Sequence, residues 1–254
     1  MRRTMFTIGI VAALFVFVAV YATAAQQPAS AQNQAPRFVP EDHRPPLFFR
    51  EGWKNPDGTG ATCEGCDPKV QMNIIPKLVE NPNLELRMYG PGKNEVEVVH
   101  HDSPKDDPSF IWTGMTTGNW AVALRDKNNY ADLTGLAKIR WRVKVSGFHT
   151  LRPVLKLADG TYLVGDHTEG YSSDWRENEF TVSDVRWRGL EVDRVIESRD
   201  GKWKDNPDLS KVDEIGFTDL TVGTGHGTGG SSRVDWIEVY GNPVKRPLVA
   251  QSRQ

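Results

Sequence analysis

The sequence predicts an all-β chain folded as a single antiparallel sandwich of jelly-roll architecture. Period-two alternation of apolar and polar residues recurs from about residue 46 to residue 244, broken by Gly, Asn, Asp and Pro clusters every eight to fifteen residues. No stretch carries an i, i+3, i+4, i+7 apolar stripe for three turns, so no long helix is expected. About eleven strands in about 200 residues fit one sandwich better than two domains.

The first 25 residues read as a secretory leader. Arg2 and Arg3 precede an uncharged run from Met5 to Tyr21, and the small residues Ala22-Thr23-Ala24-Ala25 supply a signal-peptidase site. The alternative is an uncleaved anchor, because the run is close to the shortest that can span a bilayer. After cleavage no stable membrane span is expected, and the predicted location is secreted or periplasmic. Residues 26–40 are rich in Gln, Ala and Pro without apolar periodicity and read as a flexible tether. The sandwich is expected over 41–246, with a disordered tail at 247–254.

Within the sandwich, strands are predicted at 84–89, 95–100, 110–113 and 119–125. The clearest follows at 136–145, where Ile139, Trp141, Val143 and Val145 share one face and Lys138, Arg140, Arg142 and Lys144 the other. Residues 151–157 repeat the pattern, with Arg152 and Lys156 opposite Leu151, Leu155 and Leu157. The connection Ser146-Gly147-Phe148-His149-Thr150 suggests an antiparallel hairpin, which would gather six bases on one face. Further strands are expected at 162–164, 178–182, 186–192, 214–218 and 233–240.

Charge excludes one broad class. The chain has 31 Lys and Arg against 33 Asp and Glu, a formal charge of −2. Losing Arg2 and Arg3 with the leader makes it −4, whereas a general nucleic-acid binder needs a strongly basic surface. Only 2 cysteines are present, which excludes a multi-disulfide scaffold. Cys63 and Cys66 form a lone C-x-x-C, and a local loop disulfide is the favoured reading over a zinc or redox motif. Residues 55–77 have no evident role, and the Gly-rich run at 223–230 lacks the following helix that a phosphate loop needs.

The order of motifs resembles the galactose-binding-like jelly roll. Asn119-Trp120, then Tyr130-Ala131-Asp132-Leu133-Thr134-Gly135-Leu136, then Ile139-Arg140-Trp141-Arg142-Val143 carry the likeness. In that fold, family eleven carbohydrate-binding modules and the complex I assembly-factor domain share a D-L-S/T-G turn before a long central strand. Asp159-Gly160, Ser173-Asp174-Trp175, Val212-Asp213-Glu214-Ile215-Gly216-Phe217 and the closing Ser232-to-Gly241 strand agree in outline. The resemblance implies a carbohydrate ligand, held on one sheet face by aromatic side chains. It also implies a structural calcium between an early strand and the last, for which Glu51, Asp235 and Glu238 are candidates by position.

Ligand contacts are expected from aromatics near strand ends or loops, Trp112, Trp175 and Trp203, while Trp120 and Trp236 sit in phase with aliphatic neighbours and belong to the core. Arg140, Arg142 and Arg152 on the basic face could hold an acidic glycan in bidentate geometry. The competing reading of that face is a solvated surface paired with Glu177 and Glu179. An alternative function comes from Glu191-Val192-Asp193-Arg194-Val195-Ile196-Glu197, which resembles the E-x-D-x-x-E motif of one branch of family sixteen glycoside hydrolases. That likeness would make Glu191 the nucleophile and Glu197 the general acid/base, with Asp193 tuning both and the carboxyls about 5 Å apart. Glu197 arrives one residue late for the motif. A third reading is an envelope structural or assembly protein. The histidines, among them His100, His101, His149, His167 and His226, form no recognisable ligand set.

Overall fold

The computed structural model describes residues 44–54, 69–101, 107–221 and 230–247. The leader, the tether, Cys63 and Cys66, most of the 55–77 segment and the Gly-rich run lie outside these residues. Sixteen strands are present among the described residues, all paired antiparallel, with three single turns of 3-10 helix between them.

The strands form two sheets. Seven build the first: β11 (Arg176–Thr181), β8 (Lys138–Ser146), β15 (Ser231–Tyr240), β5 (Phe110–Trp112), β4 (Glu97–His101) and β2 (Lys69–Asn73) in spatial order, with β1 (Leu47–Glu51) beside β15. The second has nine strands. Its main path runs β13 (Ile196–Glu197), β12 (Trp187–Glu191), β10 (Tyr162–Gly165), β9 (Leu151–Leu157), β14 (Val212–Asp219), β6 (Trp120–Asp126) and β3 (Leu84–Tyr89), while β7 (Asn129–Asp132) attaches at β14 and β16 (Asn242–Lys245) pairs with β7.

One apolar core lies between the sheets. Ile139, Trp141 and Val143 of β8 and Ile237 and Val239 of β15 meet Trp120, Val122, Phe217, Leu155 and Leu163 from the nine-stranded sheet. Strand β8 alternates buried and half-buried residues along its full length, as its sequence pattern requires. Central strand β14 is buried on nearly every residue because its outer face is also covered. Gly216 permits that close packing: a Cβ there would lie 1.9 Å from the Val122 carbonyl oxygen on β6.

One expectation is corrected. Residues 138–146 and 151–157 do not form a hairpin, because β8 pairs with β11 and β15 whereas β9 pairs with β10 and β14. The intervening segment turns the chain from one sheet to the other, with Gly147 at φ +68° and His149 buried against Asp219. A corner and a hairpin produce the same alternation in the sequence, since period two fixes which side chains share a face and leaves the partner strand open. The six bases are therefore divided between two sheets on opposite sides of the core.

Candidate functional site

The outer face of the seven-stranded sheet is a charge-compensated surface. Lys138 pairs with Glu179 at 2.9 Å, Arg140 with Glu177 and Glu238 at 3.3 Å each, and Arg142 with Asp235 at 2.5 Å. Cross-strand register brings the groups within reach: Arg140 faces Glu179, 3.6 Å away, while the Lys138–Glu179 and Arg140–Glu177 pairs run diagonally between β8 and β11. Trp236 lies beneath two guanidiniums, with Arg50 at 4.6 Å and Arg140 at 5.5 Å from its ring centre. Trp175 packs edge-on against Phe110 at 5.4 Å and under Arg142 at 5.2 Å. The Trp112 ring is crossed by the backbone of Gly114, where a Cβ would come within 2.2 Å of it. Arg140 and Arg142 are thus paired with acids on this face, and Trp175 carries a guanidinium over its ring.

The proposed calcium carboxylates are not brought together as a set. Glu51 and Glu238 occupy opposite faces, because Glu51 registers with Ile237 while Glu238 registers with Arg50. Fully buried Glu51 accepts backbone N–H bonds from Trp53 and Glu80 at 2.8 Å and from Asn81 at 3.0 Å, tying the end of β1 to the turn before β3. Burial raises the pKa of its carboxyl, and these backbone donors oppose the rise. Glu238 is engaged by Arg50 and Arg140, and Asp235 by Arg142. Among the described residues no group of three or more His, Cys, Asp or Glu side chains could hold a metal ion. His101 bonds Asp107 at 2.5 Å, His149 bonds Asp219, and His167 bonds Glu169 at 2.8 Å while stacking on Phe180.

The acidic hairpin does not form a retaining pair either. Leu190 registers with Glu197 and Glu191 with Ile196, so Glu191 and Glu197 project from opposite faces of the β12–β13 hairpin. Glu197 accepts 2.6 Å bonds from the guanidiniums of both Arg152 and Arg188. Burial opposes its ionisation, but those two hydrogen bonds prevail and hold the carboxyl below the usual glutamate range. A general acid needs the reverse displacement. Glu191 meets Arg194 at 3.4 Å, and exposed Asp193 lies in the turn between.

Arg152 and Trp203, two residues expected to touch ligand, converge through this hairpin. Arg152 and Arg188 share Glu197, and the Arg188 guanidinium lies 4.1 Å from the Trp203 ring centre. Arg186, two residues earlier, lies 4.3 Å from the same ring and bonds Asp166 at 2.8 Å. Trp203 bridges to Arg188 in antiparallel register, so the loop before β14 continues the edge of the nine-stranded sheet.

Beside Trp203 the surface opens into a cleft of about 610 Å³. Ser183, Arg186, Lys204, Asp205 and Asn206 line it together with Trp203 and Trp187. The cleft therefore combines indole surface with hydroxyl, amide, carboxylate and cationic groups. Asn206 holds φ +47°, a left-handed conformation that Asn tolerates better than most residues and that shapes the loop. The buried Nε1 of Trp187 has no hydrogen-bond partner among the described residues. Clefts of this size and mixed lining accept small organic ligands.

Sequence reasoning missed a polar aromatic cluster on the nine-stranded sheet. Tyr89 and Tyr162 meet edge to face at 5.3 Å, and the Tyr162 hydroxyl donates to that of Tyr89 at 3.1 Å. The Tyr89 hydroxyl donates to Glu214 at 2.7 Å, and Lys156 reaches the same carboxylate at 2.9 Å. Burial and the bonds to Tyr162 and Glu214 raise the Tyr89 pKa far above its ordinary value. The sequence did hold a signal: Tyr162 alternates with Leu163 in phase with Lys156, the residue it pairs with across β9.

No protein-family model and no curated protein matches the chain. Among solved structures it is similar to family 11 carbohydrate-binding modules. One, from the cellulosomal cellulase Lic26A-Cel5E of Clostridium thermocellum, is 17% identical with a TM-score of 0.39, over 75% of this chain and 95% of that one. A second Clostridium thermocellum module, in complex with a β-1,3-1,4-mixed-linked tetrasaccharide, is 16% identical with a TM-score of 0.36, over 78% and 99%. A putative β-glucanase from Mycobacterium abscessus is 13% identical with a TM-score of 0.31, over 76% and 100%. Among the described residues no helix is long and apolar enough to cross a membrane.

Proposed function

We propose that this protein is an exported carbohydrate-binding sandwich that holds its ligand in the Trp203 cleft. The observation that carries the reading is the lining itself, an indole beside a close set of hydrogen-bonding groups in a cleft of about 610 Å³. A pyranose offers apolar C–H patches and a rim of hydroxyls that both donate and accept. Half-buried Trp203, whose ring already carries the Arg186 and Arg188 guanidiniums at 4.3 and 4.1 Å, offers its remaining surface to the first, while Ser183, Asp205, Asn206 and Lys204 answer the second. Export rests on the basic n-region, apolar run and small-residue site of the first 25 residues. The reading is one of recognition.

The test is isothermal titration of the mature chain against a polysaccharide panel that includes mixed-linkage glucan, xylan, chitin and polygalacturonate. Binding to at least one member is expected, with Trp203→Ala weakening it at least 30-fold, the loss of about 2 kcal/mol typical of a central aromatic anchor. Absence of heat across the panel, or wild-type affinity in Trp203→Ala, refutes the assignment.

A further inference from the structure

Trp203 is held in place from outside the cleft it lines. It lies in the loop between β13 and β14, where the sheet reaches it through an isolated bridge to Arg188 and the neighbouring Lys204 N–H donates to the Trp187 carbonyl at 2.8 Å. Backbone pairing places the residue but leaves its side-chain torsions open. The ring is instead gripped by two guanidiniums, with Arg186 at 4.3 Å and Arg188 at 4.1 Å from its centre.

Two cations on one ring repel each other, so each needs an anion close by. Asp166 serves the first: its Oδ2 accepts from Arg186 Nε at 2.8 Å and its Oδ1 from the Arg186 backbone N–H at 2.9 Å. Glu197 serves the second, since one of its oxygens accepts from Arg188 and the other from Arg152, each at 2.6 Å. Arg152 in turn donates from Nε to the Gly165 carbonyl at 2.8 Å, which ties this chain of contacts to strands β9 and β10. The Glu197 arm is the better shielded, because the Arg188 side chain is 29% exposed and that of Arg186 68%. Glu197 itself lines no part of the cleft.

We infer that Glu197 is a positioning residue for the Trp203 cleft: it fixes the Arg188 guanidinium, and that guanidinium together with Arg186 sets the orientation in which the indole meets a ligand. The inference rests on the assignment of the cleft to a glycan. An indole fixed before binding spares the ligand the cost of ordering it. Without the Glu197 charge, Arg188 and Arg152 repel each other and Arg188 loses its tether beside the ring. Affinity then falls about fivefold, the penalty expected for one side chain that the ligand must order itself. Planarity matters as much as charge here, because a lysine ammonium does not stack on an indole as a guanidinium does.

The test joins titration calorimetry against the same polysaccharide panel to ¹H–¹⁵N NMR of the tryptophan indoles, both on the full mature chain. Glu197→Gln should weaken binding about fivefold and move the Trp203 indole N–H resonance, which is identified by its loss in Trp203→Ala. Arg188→Lys, which keeps the charge and loses the planar group, should do the same. Asp213→Asn breaks a comparable bridge, between Arg125 and Arg246 away from the cleft, and should leave affinity within about twofold and that resonance in place. In a Trp203→Ala background Glu197→Gln should cause no further loss, since its effect passes through the indole. Wild-type affinity in Glu197→Gln or Arg188→Lys, an unmoved indole resonance, or a further loss of about fivefold in the Trp203→Ala background overturns the inference and leaves the cleft assignment standing. An equal loss in Asp213→Asn would make the effect one of general stability and overturn it too. Absence of wild-type binding across the panel refutes the cleft assignment and this inference with it.

Discussion

Replacing Glu197 by Gln removes the charge that holds Arg152 and Arg188 together while keeping the side chain's shape. The carboxylate accepts one 2.6 Å bond from each guanidinium, with Glu197 28% exposed and the arginines 14% and 29% exposed. Charge-assisted hydrogen bonds contribute about 1.5–3 kcal/mol each when buried, and partial solvation reduces the pair to about 2 kcal/mol in all. In urea, with a slope of about 2 kcal/mol/M, the unfolding midpoint of Glu197→Gln should fall by about 1 M at pH 7. The pH dependence has a definite sign. The folded carboxyl titrates below its unfolded value of about 4.3, so its contribution is complete above that pH and disappears as pH falls through the folded pKa. The gap between wild type and Glu197→Gln therefore closes below about pH 4. A gap under about 0.5 kcal/mol at pH 7, or one that stays constant to pH 3, would refute the arginine clamp. It would also reopen Glu197 to a role as proton donor.

Gly216→Ala drives a methyl to 1.9 Å from the Val122 oxygen and 2.6 Å from Ala123 Cα, neither of which can move without breaking the β6–β14 ladder. A loss of about 3 kcal/mol, or a Tm lowered by about 6–12 °C, is expected in a thermal melt, and a drop under about 3 °C would contradict this packing. Arg140→Ala combined with Arg142→Ala should leave glycan affinity within about twofold, since Glu177, Glu179, Asp235 and Glu238 already answer that face. A tenfold loss by titration calorimetry would return the seven-stranded sheet to the ligand.

The all-β class, most of the strands and the orientation of β8 were legible in the chain, because alternation at period two directly reports which side chains a sheet buries. The same local signal explains why short or weakly patterned strands were missed: β1, β2, β7, β13 and β16 have no more than five residues each. Trp203 and Arg152 stood out in the sequence as an aromatic in a polar loop and a base on a strand face. Their connection through Glu197 and Arg188 did not, since it joins residues up to 51 positions apart across three strands and a loop.

By itself the sequence determined the faces: which residues point into a core, where turns interrupt the strands, and that Arg140 and Arg142 share the polar face of their strand. Only the tertiary structure decided the neighbours. It sent β8 and β9 to opposite sheets, put Glu191 and Glu197 on opposite sides of one hairpin, clamped Glu197 between two arginines and opened the cleft at Trp203. The reason is physical. Side-chain alternation is a property of a single strand, whereas strand partners, buried charge pairs and clefts depend on long-range packing that no local period encodes.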